Sequence, residues 1–216
     1  MTHQEMQQFL ANTNTGEAIL LDLRSAEEYA AAHPEGAYNC PFDNSVEWIQ
    51  KIQDGMSHFP NAQALGIFAD NERIAEAAQT LLSCANIPVS VAFDGGVTAW
   101  EKENLPVADP VPMISVEELA KNLDRFTVID VRERDELEGG TIPGARVMPL
   151  STFQTEAATL DPAATYVLVC AHGNRSVRMI PFLQANGFKA LSLIDGLSSW
   201  NAAQLPLESV SVDALR

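Results

Sequence analysis

The chain is poor in three things. Cysteine occurs three times in 216 residues, as Cys40, Cys84 and Cys170. Three scattered thiols form no even disulfide framework and no metal-type cluster. They read as free thiols of a reducing compartment, with the cytoplasm as the default location. Basic side chains are also few, 13 Lys and Arg against 29 Asp and Glu, for a net charge of −16. Phosphate-backbone binding needs clustered Lys and Arg, so nucleic acid is excluded as an expected partner. An anionic membrane surface is excluded on the same ground. Long apolar runs are missing too, and none approaches the ~18 residues of a membrane span. The opening Met-Thr-His-Gln-Glu-Met lacks the basic and apolar regions of a signal peptide. What remains is ordinary globular usage, 46% hydrophobic and 19% charged. At roughly 100–200 residues per domain, the length suits one large domain or two small ones.

Internal similarity decides for two. Ile19-Leu-Leu-Asp-Leu-Arg24 is echoed by Thr127-Val-Ile-Asp-Val-Arg132, an offset of 108 that also pairs Gly36-Ala37 with Gly144-Ala145 and Pro41 with Pro149. Matches resume at a shorter offset near the end of each half. There Phe93-Asp94-Gly95 answers Ile194-Asp195-Gly196, Trp100 answers Trp200, and Leu105-Pro106 answers Leu205-Pro206. Each half opens on a helix-start pattern, Thr2-x-x-Glu5 and Ser115-x-x-Glu118. A collinear series of this kind marks two copies of one unit, residues 1–108 and 109–216. A Pro-rich linker without periodicity runs from Asn104 to Met113. The first copy carries a net −11 and the second −5, and the second holds most of the arginine. Near the end, Ser211-Val-Asp-Ala-Leu215 resembles Ser115-Val-Glu-Glu-Leu119, either a terminal stub or the start of a third unit.

Each copy alternates strands and helices. Continuous apolar, β-branched runs predict buried strands at 126–131, 166–170 and 190–194, with helices at 116–123, at 176–186 stopped by Gly187, and from Leu197. The first copy predicts strands at 18–23, 64–68 and 89–93 and a helix at 73–86. Such alternation implies an α/β unit with a parallel sheet, in which ligands bind at the carboxyl ends of strands.

The segment Val169-Cys170-Ala171-His172-Gly173-Asn174-Arg175-Ser176 falls where a strand run ends and a helix begins. Backbone N–H groups of such a loop and of the helix start converge on one point. A sulfur there meets positive potential, which favours its thiolate. Gly173 permits a backbone closed to other residues, and Arg175 adds a fixed positive charge suited to an anionic group. Arg175 either contacts substrate or pairs with a carboxylate such as Glu136. His172 either binds an acceptor or fills a tolerant position.

Cys-x-x-Gly-x-Arg-Ser after a strand resembles the active-site loop of rhodanese-like domains. Asp130-Val131-Arg132 with Glu136 resembles that family's Asp-x-Arg…Glu element. Thr141-Ile-Pro-Gly-Ala145 resembles its His-Ile-Pro-Gly-Ala, with Thr141 in place of His. Asp195-Gly196…Trp200 resembles its Asp-Gly-Gly…Trp, with Leu197 in place of the second Gly. The resemblance implies two α/β domains, each with a central, mainly parallel sheet flanked by helices. It also implies sulfane-sulfur transfer through a Cys170 persulfide, from a thiosulfate-like anionic donor to a thiol or cyanide acceptor, with no metal or organic cofactor. Ala171, His172, Gly173, Asn174, Arg175 and Ser176 would form the substrate loop, and Asp130, Arg132 and Glu136 would support it. Six residues from Cys170 through Arg175 make a loop one shorter than in phosphatase-like relatives, which favours a persulfide over a phosphate or arsenate. A binding or sulfur-carrier module remains the alternative to an enzyme.

The first copy keeps Asp22, Arg24, Glu28 and Trp100 but has no cysteine in its loop. Placing Arg73 on Arg175 puts Phe68 at the nucleophile position, with Asp70 and Glu72 adding negative charge. Its expected role is structural, or recognition of a protein partner. Cys84 and Cys40 are expected as small core hydrophobes, a resolving role for Cys40 being the other option. His33 is expected at the surface, and Trp100 and Trp200 as core anchors. The two units are expected to pack together.

Overall fold

The computed structural model describes residues 3–57 and 59–210. Thr2, expected to cap the first helix, and the echo at 211–215 lie outside the described residues. The chain divides into two compact units, Met1–Pro110 and Val111–Arg216.

The first unit runs α1 (His3–Thr15), β1 (Ala18–Asp22), α2 (Ala26–Ala31), β2 (His33–Pro34), β3 (Tyr38–Asn39), α3 (Val46–Met56), β4 (Ala64–Phe68), α4 (Glu72–Cys84), β5 (Val91–Phe93), α5 (Gly96–Lys102) and β6 (Val107–Ala108). Its sheet has the order β3-β1-β4-β5, and all its pairings are parallel. The central strands are buried along nearly their whole length, as continuous apolar runs require. Each fully buried Leu or Ile contributes about 1.5–3 kcal/mol against exposure. The helix α3, not foreseen in the sequence, starts at Ser45, whose Oγ accepts from Trp48 N at 3.0 Å, and it buries Trp48 and Ile52 in the core.

The second unit runs β7 (Met113–Ile114), α6 (Val116–Lys121), β8 (Thr127–Asp130), β9 (Arg146–Val147), α7 (Phe153–Glu156), β10 (Thr165–Val169), α8 (Asn174–Ala185), β11 (Lys189–Leu193) and α9 (Gly196–Ala202), with short 3-10 turns between. Its five strands lie in the order β7-β11-β10-β8-β9, again all parallel. Two α/β units with parallel sheets flanked by helices is the architecture expected. Ser115 caps α6 as foreseen, accepting from Glu118 N at 3.2 Å. The helix α8 starts two residues before the expected Ser176 and gives way at Gly187, which has φ +82°.

Two expectations fail here. The segment from Asn104 to Met113 is not all linker. Leu105 is buried, Trp100 Nε1 donates to Pro106 O at 2.9 Å, and β6 pairs antiparallel with β2. The second unit repeats the clasp, with Trp200 Nε1 donating to Pro206 O at 2.9 Å. Nor is His33 a surface residue. It is buried, its ring stacks on Tyr29 at 3.8 Å, and its Nδ1 donates to Tyr29 O at 2.7 Å. Burial holds its imidazole below the usual histidine value.

Candidate active site

Cys170 follows the last residue of β10, the middle strand of its sheet, and is 1% exposed. The chain turns through Gly173, whose φ of +87° lies in the left-handed region that glycine tolerates, and enters α8 at Asn174. The loop's carbonyls are tied down from α9: Leu197 N donates to Cys170 O at 2.8 Å and Ser198 N to Ala171 O at 3.0 Å. In a trans peptide the next N–H points opposite its carbonyl, so the N–H groups of Ala171 and His172 face away from α9. Gly196 makes this close approach feasible. A Cβ there would lie 2.3 Å from Cys170 O and 2.8 Å from Gly173 N. Gly173, at the N-cap of α8, offers no side chain to the helix's first N–H groups.

Behind the sulfur lies a chain of hydroxyls. Cys170 Sγ is 3.8 Å from Ser176 Oγ, which is 2.8 Å from Gly173 O and 2.7 Å from Ser192 Oγ. Ser192, on β11, was not singled out in the sequence. A lone serine in a strand run carries no signal until the register places it beside β10.

The remaining expected residues form the support. Arg175 binds Glu136 through two parallel contacts, one of them Nη2 to Oε2 at 2.7 Å. Of the two roles expected for Arg175, the carboxylate pairing is present in the structure. That contact is the main cause of Glu136 being held below the usual carboxylate range. It also holds the guanidinium more basic than usual; burial opposes this and the nearby Cys170 sulfur adds to it. Arg132 and Asp130 are a buried pair, Nη2 to Oδ2 at 2.7 Å. Arg132 also donates to Glu136 O at 3.0 Å and Gly140 O at 2.8 Å, so it fixes the segment that carries Glu136. Thr141, standing where the family pattern has His, donates to Asp130 Oδ2 at 2.7 Å. His172 is exposed, with Nδ1 3.3 Å from Ser198 Oγ, and Ala171 and Asn174 are half-buried at the loop's rim.

The model of the rhodanese-like domain matches residues 5–103 and again residues 115–203. The chain belongs to the rhodanese family. It is 37% identical over 98 residues to a rhodanese-like/PpiC domain-containing protein of Arabidopsis thaliana chloroplasts, covering 41% of this chain but only 33% of that relative. It is 33% identical over 83 residues to the putative sulfurtransferase YtwF of Bacillus subtilis, covering 38% of this chain and 81% of that protein. Among solved structures, a rhodanese-related protein of Thermoplasma volcanium is 32% identical, with a TM-score of 0.44, covering 45% of this chain and 97% of that one.

The first rhodanese unit needs one correction. In the sheets, Asp22 pairs with Phe68 where Asp130 pairs with Val169. Leu23 N donates to Phe68 O as Val131 N does to Val169 O. Phe68 therefore matches Val169, and Ala69, fully buried, occupies the position of Cys170. The turn after β4 is one residue shorter than the turn after β10: counted from the N-caps Asn71 and Gly173, Arg73 does match Arg175 in the helix, but it is exposed, and counting back from it overshoots Ala69 by one residue. The turn holds no cysteine, and it is closed differently. Asn71 caps α4, its Oδ1 accepting from Ile74 N at 3.1 Å. Asp70 sits 3.9 Å from Arg24 Nε, its carboxyl pushed up by burial and by the neighbouring Glu28 charge. Where the second rhodanese unit pairs Glu136 with an arginine, the first sets Glu28 against another acid.

Cys40 packs partly buried on the first core, and burial pushes its thiol up to about 11. Cys84 is exposed, not buried as expected. The helix α4 buries Ala75, Ala78 and Leu82, and Cys84, two residues past Leu82, falls on the opposite side. Among the described residues no group of three or more His, Cys, Asp or Glu side chains could hold a metal ion. None of the described helices is long and apolar enough to cross a membrane.

Proposed function

We propose that the protein is a sulfurtransferase that carries sulfane sulfur on Cys170. The observation that supports this best is the position of the sulfur, at a strand end facing an uncapped helix start, with the loop carbonyls turned aside by α9. The thiolate attacks the outer sulfur of a thiosulfate-like donor. A Cys170–S bond forms, the donor's S–S bond breaks, and sulfite leaves with the electron pair. A thiolate or cyanide acceptor then attacks the outer sulfur of the persulfide, and Cys170 leaves as thiolate. This is covalent catalysis in two displacements. The loop N–H groups, with the supporting guanidinium of Arg175, stabilise negative charge through both steps.

The six-residue loop from Cys170 through Arg175 suits a persulfide and leaves little room for a tetrahedral oxyanion. Phosphatase and arsenate reductase turnover should accordingly be weak or absent. The first unit serves as a structural or protein-recognition module, and the acidic, cysteine-poor chain works in the cytoplasm.

The test is the intact mass after thiosulfate treatment. A gain of one sulfur atom is expected, erased by reductant and absent in Cys170→Ser. Thiosulfate-to-cyanide transfer should vanish in the same variant while the fold survives. A sulfur that stays on Cys170→Ser would overturn the assignment.

A further inference from the structure

The hydroxyl chain behind Cys170 is short of protons. Ser176 Oγ contacts three groups, Gly173 O at 2.8 Å, Ser192 Oγ at 2.7 Å and Cys170 Sγ at 3.8 Å. A serine hydroxyl has one proton to give. Gly173 O can only accept, and so can a thiolate. Ser176 can therefore serve the carbonyl or the sulfur, not both at once. Ser192 sets how strongly that proton is given, because a hydroxyl that accepts one hydrogen bond is polarised into a better donor of its own. It is 0% exposed, on a strand otherwise built of apolar or solvent-edge positions. Among the described residues the partner of its hydroxyl is Ser176. When Ser192 donates to Ser176, the proton of Ser176 is left to move between Gly173 O and the sulfur. Gly173 O is not orphaned by the move, because Val177 N also donates to it at 3.0 Å.

We infer that Ser192 is a positioning residue for Cys170, acting through Ser176 to direct a hydrogen bond onto the sulfur when it is anionic. The inference rests on the reading of Cys170 as the nucleophile. The arrangement is a relay with no net transfer: one proton swings between two acceptors as the sulfur gains or loses charge. The register that places Ser192 beside Leu168, two residues before Cys170, holds the relay within the rigid centre of the sheet.

The experiment compares the full chain with Ser192→Ala, Ser192→Thr, Ser176→Ala and the double variant Ser176→Ala/Ser192→Ala. Two readouts are taken: the iodoacetamide alkylation rate on the tryptic peptide that carries Cys170, and the kcat and KM of thiosulfate-to-cyanide transfer. Ser192→Ala should slow alkylation and lower kcat by about threefold, because the Ser176 bond to the sulfur is weakened and not removed. KM for thiosulfate should stay within about twofold, since no donor contact is lost. Ser192→Thr, which keeps the hydroxyl, should recover most of both rates. In the Ser176→Ala background, Ser192→Ala should cost nothing further. Equal losses in Ser192→Ala and Ser192→Thr, additive losses in the double variant, or wild-type rates in a folded Ser192→Ala would each overturn the inference. If Ser192→Ala does not fold, Ser192→Cys, a weaker donor of similar size, takes its place, with a smaller loss expected and no loss overturning. Alkylation needs no sulfur donor, so it reports on the relay even if wild-type transfer proves absent.

Discussion

The two units carry the same strand-to-helix crossing in opposite states. After β4 the first unit presents Ala69, caps α4 with Asn71 and lines the turn with Asp70. After β10 the second presents Cys170, leaves α8 without a side-chain cap and backs the turn with a guanidinium. The sheets beneath are alike. Each keeps a buried Asp–Arg pair two residues apart and a tryptophan clasp at its end. The two units therefore differ less in their frame than in the side-chain cap at the helix start and in the charge that stands beside it. The asparagine side chain takes up one of the amides at the start of α4, that of Ile74.

The sharpest way to break the comparison is to move the cysteine. Ala69→Cys combined with Cys170→Ser should transfer sulfur at below about 1% of the wild-type rate, because the capped, acidic turn does not favour a thiolate. Substantial cyanide-dependent turnover in that variant would show that the first turn is a competent cradle. Next comes the glycine behind the loop. Gly196→Ala pushes a methyl against Cys170 O and should lower transfer by about a hundredfold, as a displaced reacting group does. Gly96→Ala meets Asp70 in the first unit and should leave transfer per folded molecule unchanged.

A smaller effect is expected at the salt bridge. Glu136→Gln should cut kcat by roughly three- to tenfold through a loosened Arg175. Glu136 is held below its ordinary range, so its contribution is present above about pH 4.3 and fades as pH falls through its folded value. The acid limb of the rate profile should flatten in the variant, and an unaltered limb would remove Glu136 as its cause. His33 gives the first unit a sensitivity of its own. Its folded value is lowered, so the unfolded chain binds the proton first and stability is lost as pH falls below about 6.5. His33→Thr, which copies Thr141 of the second unit, should reduce that slope in thermal unfolding. The least disruptive probe is thiol labelling at mild pH in Cys170→Ser. Cys84 should react and Cys40 should not, since burial holds Cys40 near 11. Labelling in the reverse order would refute both placements.

How far these differences could be read beforehand varies with how local their causes are. The strand run Ala64–Phe68 and the stop at Gly187 are set by a continuous apolar run and a left-handed residue, so they showed in the sequence. The Cys170 loop showed because its glycine and arginine spacing is itself local. Ala69, Ser192 and the depth of His33 did not, because each depends on register between strands distant in sequence. Arg73 misled because the first turn is one residue shorter than the second, a difference that no local pattern marks. Cys84 is a matter of helical phase: two residues past the buried Leu82, it turns away from the face that α4 buries.

The tryptophan clasps have an optical consequence. Of the three indoles in the chain, Trp48 and Trp100 belong to the first unit, and Trp200 alone sits in the second. Trp200 lies on α9, three residues after Leu197, whose N–H holds the carbonyl of Cys170. With Trp48 and Trp100 replaced by Phe, the emission of Trp200 becomes a single reporter for the unit that carries the cysteine. Loading and discharge of one sulfur atom could then be followed in real time by fluorescence, without a coupled assay.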